Sequence, residues 1–165
     1  LLAYGEQMLA GDRSLQREII AHCCAMKAQI VQQDEKEQGV RALLNLGHTF
    51  AHAIEKEAGY DGSVNHGEAV ALGCLMAMSL SIPHITEVDI ERLKAHYTTV
   101  GLPCRLNDLG GSVAWDAATL TQHCYQDKKA SEGVLTFVTL ESIGHAVVTQ
   151  SVAPDRIKAI FEEYR

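Results

Sequence analysis

The sequence predicts a mostly α-helical domain with a small β-hairpin. Apolar residues recur at steps of three and four through most of the chain, and capping or breaking residues bracket those runs. Only two short stretches near the C-terminal end, rich in Val and Thr, have a strand's composition. One domain spanning residues 1–165 accommodates this length, and a chain of that size buries roughly 70% of its unfolded surface.

The elements follow in order. A first long helix is expected from Ser14 to about Gln33, with Ser14 as N-cap and Leu15, Ile19, Cys23, Met26 and Ile30 as its apolar stripe. The charged run Asp34-Glu35-Lys36-Glu37 leads to a turn at Gly39. A second helix is expected over Val40–Ala58, with Gly59 as its stop. Asp61, Gly62, Ser63 and Asn65 make 59–66 a surface loop. Glu68–Ser81 reads as an almost wholly apolar third helix, halted by Pro83. Thr86 opens a fourth helix through its T-x-x-D pattern with Asp89, ending near Gly101-Leu102-Pro103. A fifth helix is expected over Ala114–Gln126, and a hairpin from Val134–Leu140 and Ala146–Ser151. Pro154 suits the first turn of a last helix reaching Tyr164.

Composition narrows the function. The formal net charge is -7 with no basic block, which argues against nucleic acid or an anionic membrane surface as partner. An anionic substrate would therefore be caught by a few placed cations, against the overall field. The longest apolar stretch, Ala69–Ile82, falls short of the ~20 residues that span a bilayer. No signal-peptide pattern is visible, and the lack of a starting Met leads us to expect a chain that begins inside a longer gene product. The cysteines, Cys23, Cys24, Cys74, Cys104 and Cys124, are odd in number and form no C-x-x-C pair. They read as small buried hydrophobes in a reducing cytoplasm.

The chemistry gathers in the second helix. Arg41, Asn45, His48 and His52 are spaced by four, three and four, so they share one stripe. Such a stripe is a poor core face, since each group would need a buried partner. It is also unlike a solvated face, where Lys and Glu dominate. His48 and His52 have zinc-binding spacing, but the Glu of an H-E-x-x-H helix is missing. His66, just past the loop, can fold back on this helix, and the spacing leaves open which two histidines bind. Glu68 is either a partner to a metal-bound histidine or simply an acid at a helix N-terminus. Lys27, Lys128 and Lys129 are ordinary solvated lysines unless they converge with Arg41 on a phosphate.

The run Arg41-Ala-Leu-Leu-Asn-Leu-Gly-His-Thr-Phe-Ala-His-Ala-Ile-Glu55 resembles the signature of 3-dehydroquinate synthases, as does Asn65-His-Gly-Glu-Ala-Val70. Lys27-Ala-Gln-Ile-Val with Asp34-Glu35, and Asp127-Lys-Lys with Gly133, Phe137-Val138 and Ile143-Gly144, resemble further segments of that family in the same order. The resemblance implies the helical C-terminal domain of the dehydroquinate synthase-like fold. It implies His48 and His66 as ligands of a divalent metal, zinc or cobalt, with His52 facing the substrate phosphate. Arg41, Asn45, Lys27 and either Lys128 or Lys129 would hold the substrate's carboxylate, hydroxyl and phosphate groups, and Leu44 would line the pocket through its backbone. The implied reaction converts 3-deoxy-arabino-heptulosonate 7-phosphate, a phosphorylated keto-sugar acid, to 3-dehydroquinate and phosphate in the shikimate pathway of aromatic amino-acid biosynthesis.

Departures are also visible. Ala51 stands where the family usually has Gly, and the loop before His66 is about a residue longer. The family's third metal ligand, a Glu in an A-E-x-x-K motif, and its Gly-rich NAD-binding domain do not occur in these residues. NAD is therefore expected to bind mainly on an N-terminal domain of the same protein. A homodimer is expected, and the isolated chain is expected to be inactive. The rival readings are another sugar-phosphate cyclase, a relative of glycerol or iron-type alcohol dehydrogenases, and a helical module without catalysis. Lys27, Arg41 and the Asp-Lys-Lys run argue against the dehydrogenases, which need no phosphate cage.

Overall fold

The computed structural model describes residues 3–37, 39–130, 135–150 and 152–165, with the side chains of all of these except 127–130. In order they form α1 (Gly5–Leu9), α2 (Arg13–Gln33), a 3₁₀ helix (Val40–Asn45), α3 (His48–Glu57), α4 (His66–Leu80) and α5 (Glu87–Val100). A 3₁₀ turn (Leu106–Asp108), α6 (Ala117–Ala130), β1 (Thr136–Ser142), β2 (His145–Gln150) and α7 (Pro154–Glu163) complete the chain. None of the described helices is long and apolar enough to cross a membrane.

Helix α4 is the centre. Its sequence is apolar all round, as a helix buried on every side requires, and Ala69, Leu72, Leu75 and Met76 are fully buried. Helices α3, α5 and α7 and strand β1 pack around it, and α6 lies over α3 and α7. Phe50 of α3 joins the layers, with its ring centroid 5.2 Å from Phe137 of β1 and 5.4 Å from Phe161 of α7. Each such aromatic pair adds ~0.5–1.5 kcal/mol beyond the area it buries. The antiparallel hairpin is tied to α4 by Ser81, whose hydroxyl donates to the Ala77 carbonyl and accepts from the Leu140 N–H.

Several expectations need correction. The predicted second helix is two elements. Its first part is a 3₁₀ helix, and the chain turns at Leu46 and Gly47 before α3 starts at His48. Helix α2 is capped by Asp12, not Ser14: the Asp12 carboxylate accepts from Ser14 N and Leu15 N, each at 3.0 Å. The apolar stripe of α2 has no buried residue, because α2 touches chiefly α1 and the following 3₁₀ helix. Cys23 and Cys24 on it are accordingly exposed rather than core residues; Cys74 and Cys104 are half-buried and Cys124 is buried. Helix α6 starts later than predicted because Asp116 accepts from Thr119 N and Oγ1, both at 2.8 Å. It also runs on through Asp127-Lys128-Lys129, which the sequence suggested would follow the helix. Val134, the expected start of the hairpin, lies outside the described residues, and β1 begins at Thr136.

Candidate metal centre and substrate cage

Two glycines set the geometry. Gly47 has φ of 79° and precedes α3, and a Cβ added to Gly73 of α4 would fall 2.2 Å from the Gly47 carbonyl oxygen. Backbone therefore lies directly on backbone, which only glycine at both positions permits. Beneath this contact, the Cys74 thiol donates to the Leu46 carbonyl at 3.6 Å, and burial pushes its pKa up to about 11. The seating brings the first residue of α3, His48, beside the first residue of α4, His66. Helix α4 is capped there by Asn65, whose Oδ1 accepts from Gly67 N at 2.8 Å. The His48 ring centroid is 5.6 Å from that of His66 and 5.9 Å from that of His52.

The partners of the rings fix their chemistry. His48 Nδ1 lies 3.2 Å from the Leu46 carbonyl oxygen, and His66 Nδ1 lies 3.0 Å from Glu55 Oε1. Both oxygens can only accept, so in each neutral ring Nδ1 carries the hydrogen and Nε2 keeps its lone pair. Neither Nε2 has a hydrogen-bond partner among the described residues. Two imidazole rings this close suit zinc or cobalt, and an oxygen acceptor behind each ring is the usual support for a metal-ligating histidine. Among the described residues no three His, Cys, Asp or Glu side chains converge as a complete metal shell. The pair offers half of a tetrahedral set.

Arg41 and Asn45 form a second group. Asn45 Nδ2 donates to Glu37 Oε1 at 2.8 Å, Arg41 Nε stands 3.7 Å from Glu37 Oε2, and Arg41 Nη1 donates to the Glu35 carbonyl at 2.7 Å. Asp34 closes the approach by accepting from Gly39 N and Arg41 N. Thr49 Oγ1 donates to the Thr136 carbonyl at 3.0 Å, which fixes the start of α3 against the hairpin. Leu44, which precedes Asn45 on the 3₁₀ helix, is half-buried. Lys27 is exposed on α2 and makes no hydrogen bond or ion pair with any described residue. The side chains of Lys128 and Lys129 lie outside the described residues.

The structure thus brings together His48, His52 and His66, and separately Arg41 and Asn45. Sequence reasoning missed two acids. Glu37 joins Arg41 to Asn45, and Glu55, not Glu68, pairs with His66. The available signal for Glu55 was its place one turn after His52 on α3.

The family profile described as 3-dehydroquinate synthase C-terminal matches residues 3–130. The chain belongs to the 3-dehydroquinate synthase family. The 3-dehydroquinate synthase of Jannaschia sp. (strain CCS1) is 43% identical over 165 residues, covering 99% of this chain and 44% of that enzyme. The 3-dehydroquinate synthase of Paracoccus denitrificans (strain Pd 1222) is 42% identical over 159 residues, covering 95% of this chain and 43% of that enzyme. The chain therefore spans less than half the length of these synthases.

Among solved structures, 2-epi-5-epi-valiolone synthase from Streptomyces hygroscopicus subsp. jinggangensis 5008, with NAD+ and Zn2+ bound, shares the fold with a TM-score of 0.82. Identity is 18%, over 99% of this chain and 44% of that chain. A 2-deoxy-scyllo-inosose synthase complexed with carbaglucose-6-phosphate, NAD+ and Co2+ gives a TM-score of 0.68 at 25% identity, over 88% of this chain and 40% of that chain. Ala51 of α3 is fully buried in the core.

Proposed function

We propose that this chain is the metal- and substrate-binding half of a 3-dehydroquinate synthase, which converts 3-deoxy-arabino-heptulosonate 7-phosphate to 3-dehydroquinate and phosphate. The observation that carries this reading is the His48–His66 pair, 5.6 Å apart with both Nδ1 atoms committed to oxygen acceptors. Identity of 42–43% to dehydroquinate synthases, against 25% to the inosose synthase, favours this member of the cyclases over its relatives.

When bound, a divalent metal supplies Lewis acidity toward a substrate hydroxyl, and NAD accepts and returns the hydride. The chain's own residues bind and orient. His48 and His66 present Nε2 to the metal. Arg41 offers a two-pronged guanidinium to the substrate carboxylate, and Asn45 an amide to a hydroxyl. His52 faces the phosphate as it leaves and can hold a proton at that oxygen, while Lys27 and a lysine of the Asp127-Lys128-Lys129 run add positive charge. In an acidic chain such cations act by close placement rather than by long-range field.

In the same reading, an N-terminal domain of the same protein holds NAD and contributes the third metal ligand. The functional unit is a cytoplasmic homodimer, and residues 1–165 alone are one inactive domain. The test is phosphate release by the purified full-length protein supplied with the heptulosonate phosphate, NAD and zinc or cobalt. Sustained turnover that is lost in His48→Ala is expected. Phosphate release from a hexose 6-phosphate but not from the heptulosonate would move the protein to another cyclase.

A further inference from the structure

His66 stands at the end of a loop that is held from one side. Between α3 and α4 the chain reverses through Gly59, Tyr60 and Gly62, at φ of 75°, 53° and 83°. Asp61 closes a turn there by accepting from Ser63 N at 2.8 Å, and Asn65 then caps α4. Among the described residues, no backbone hydrogen bond joins 61–64 to another element. Toward the end of α3 the packing is open: Glu55, Ala58, Tyr60, Asp61, Gly62 and Val64 line a cavity of about 170 Å³.

Against Gly110 and Gly111 the same loop is tight. A Cβ added to Gly110 would fall 2.2 Å from the Ser63 carbonyl oxygen, and one added to Gly111 would fall 2.9 Å from Ser63 Oγ. Backbone at 110 therefore lies directly on the loop, at a residue only one helical turn before His66. The supporting segment is itself well anchored. Leu106 N donates to the Tyr164 carbonyl at 2.7 Å, and Asn107 Nδ2 donates to the Arg165 carbonyl at 3.0 Å. Asp108 Oδ2 accepts from Cys104 N and Arg105 N, and Leu109 is buried in the core. Of the two segments in contact, 105–111 is the fixed one, and 61–64 is the one with space to yield.

We propose that Gly110 is a positioning residue, which seats the Ser63 carbonyl and so sets where His66 stands relative to His48 and Glu55. Its bearing on the metal rests on the reading above, in which His66 is a ligand. A methyl at 110 must part the two segments by about 1.2 Å to reach the 3.4 Å of ordinary contact. The cavity beside Glu55 lets the loop give way without unfolding the domain, and the displacement passes along three residues to His66. Metal–nitrogen distances tolerate only ~0.2 Å, so the metal centre reads a shift that the fold absorbs.

The experiment uses the full-length protein with Gly110→Ala, and Gly101→Ala as its control. Gly101, at the end of α5, has φ of 74°, so Ala strains the backbone there, but the added methyl meets nothing within 4 Å. Gly110→Ala should keep the wild-type circular dichroism spectrum and bind cobalt at least ~10-fold more weakly. Without metal, its long-range nitrogen–proton signals from His66 should shift as the ring moves against Glu55. Gly101→Ala should melt lower than the wild type yet keep its cobalt affinity and His66 signals. The assignment fails if Gly110→Ala does not fold, if it folds with wild-type cobalt affinity and His66 signals, or if Gly101→Ala loses cobalt equally. A wild type that binds no cobalt counts against the proposed function instead, and the His66 signals, read without metal, still decide whether Gly110 places that ring.

Discussion

Replacing Gly73 with Ala sets two well-characterised effects against each other. In a solvated helix the change is stabilising by about 0.5–1 kcal/mol, because Ala loses less conformational freedom. Here the new methyl would stand 2.2 Å from the Gly47 carbonyl oxygen, 3.0 Å from its carbon and 3.2 Å from its Cα. Ordinary contact begins at 3.4 Å, so the methyl is about 1.2 Å too close, and every obstructing atom is backbone that no rotamer change can move. Overpacking of this kind costs ~1–3 kcal/mol and more where nothing yields, so the steric cost wins and a net loss of ~1–2 kcal/mol is expected. For a domain of this size that lowers the melting temperature by ~2–8 °C. The strain acts on the residue just before His48, and metal–nitrogen distances tolerate only ~0.2 Å, so cobalt affinity should drop at least ~10-fold. Circular dichroism melts and a cobalt titration read both effects. A variant that melts higher than the wild type and binds cobalt equally well would refute the close seating of α3 on α4.

Three more outcomes are expected. Glu55→Ala removes the acceptor that holds the His66 tautomer, so long-range nitrogen–proton spectra should show a mixture of tautomers and cobalt affinity should fall ~10–100-fold; an unchanged spectrum contradicts the role. At pH 8 a thiol reagent should modify exposed Cys23 and Cys24 rapidly and Cys74 slowly, since burial raises the Cys74 thiol to about 11; equal rates would count against that burial. Asp116→Ala should lower the melting temperature at neutral pH by removing the cap of α6. Hydrogen bonds from the Thr119 backbone N–H, then its hydroxyl, hold the Asp116 carboxyl below its usual range. A depressed folded-state pKa gives stability that is complete above the unfolded carboxyl value near ~3.9 and lost as pH falls through the lower folded value. The gap in melting temperature between wild type and variant should therefore close below about pH 4, and a gap that persists in acid would exclude the ionised cap.

Much of the fold was legible because its signals are local. Thr86 and Asp89 do form a capping box, Gly59 and Gly101 do take positive φ, and Pro154 does open the last helix. The break at Gly47 was not legible. The helical spacing of Arg41, Asn45, His48 and His52 runs straight across it, and what interrupts the helix is contact with Gly73, distant in sequence. Helix α2 shows the converse limit: a periodic apolar stripe says that a face suits burial, not that these residues provide the cover. At the site, the nearness of the three histidines follows from motifs that sequence displays. Glu37 and Glu55 were passed over because a glutamate on a helix or charged loop is ordinarily solvated, and only the fold reveals that one reaches Asn45 and the other His66.

The central claim is that His48 and His66 hold a metal while His52, equally close to His48, serves the phosphate. Cobalt titration of the full-length protein, followed by visible absorption, tests it most directly when His48→Ala, His66→Ala and His52→Ala are compared with the wild type. Loss of cobalt binding in the first two and retention in the third, with inhibition by phosphate weakened only there, is the predicted result. Cobalt binding that survives His66→Ala, or that vanishes with His52→Ala, would contradict the account.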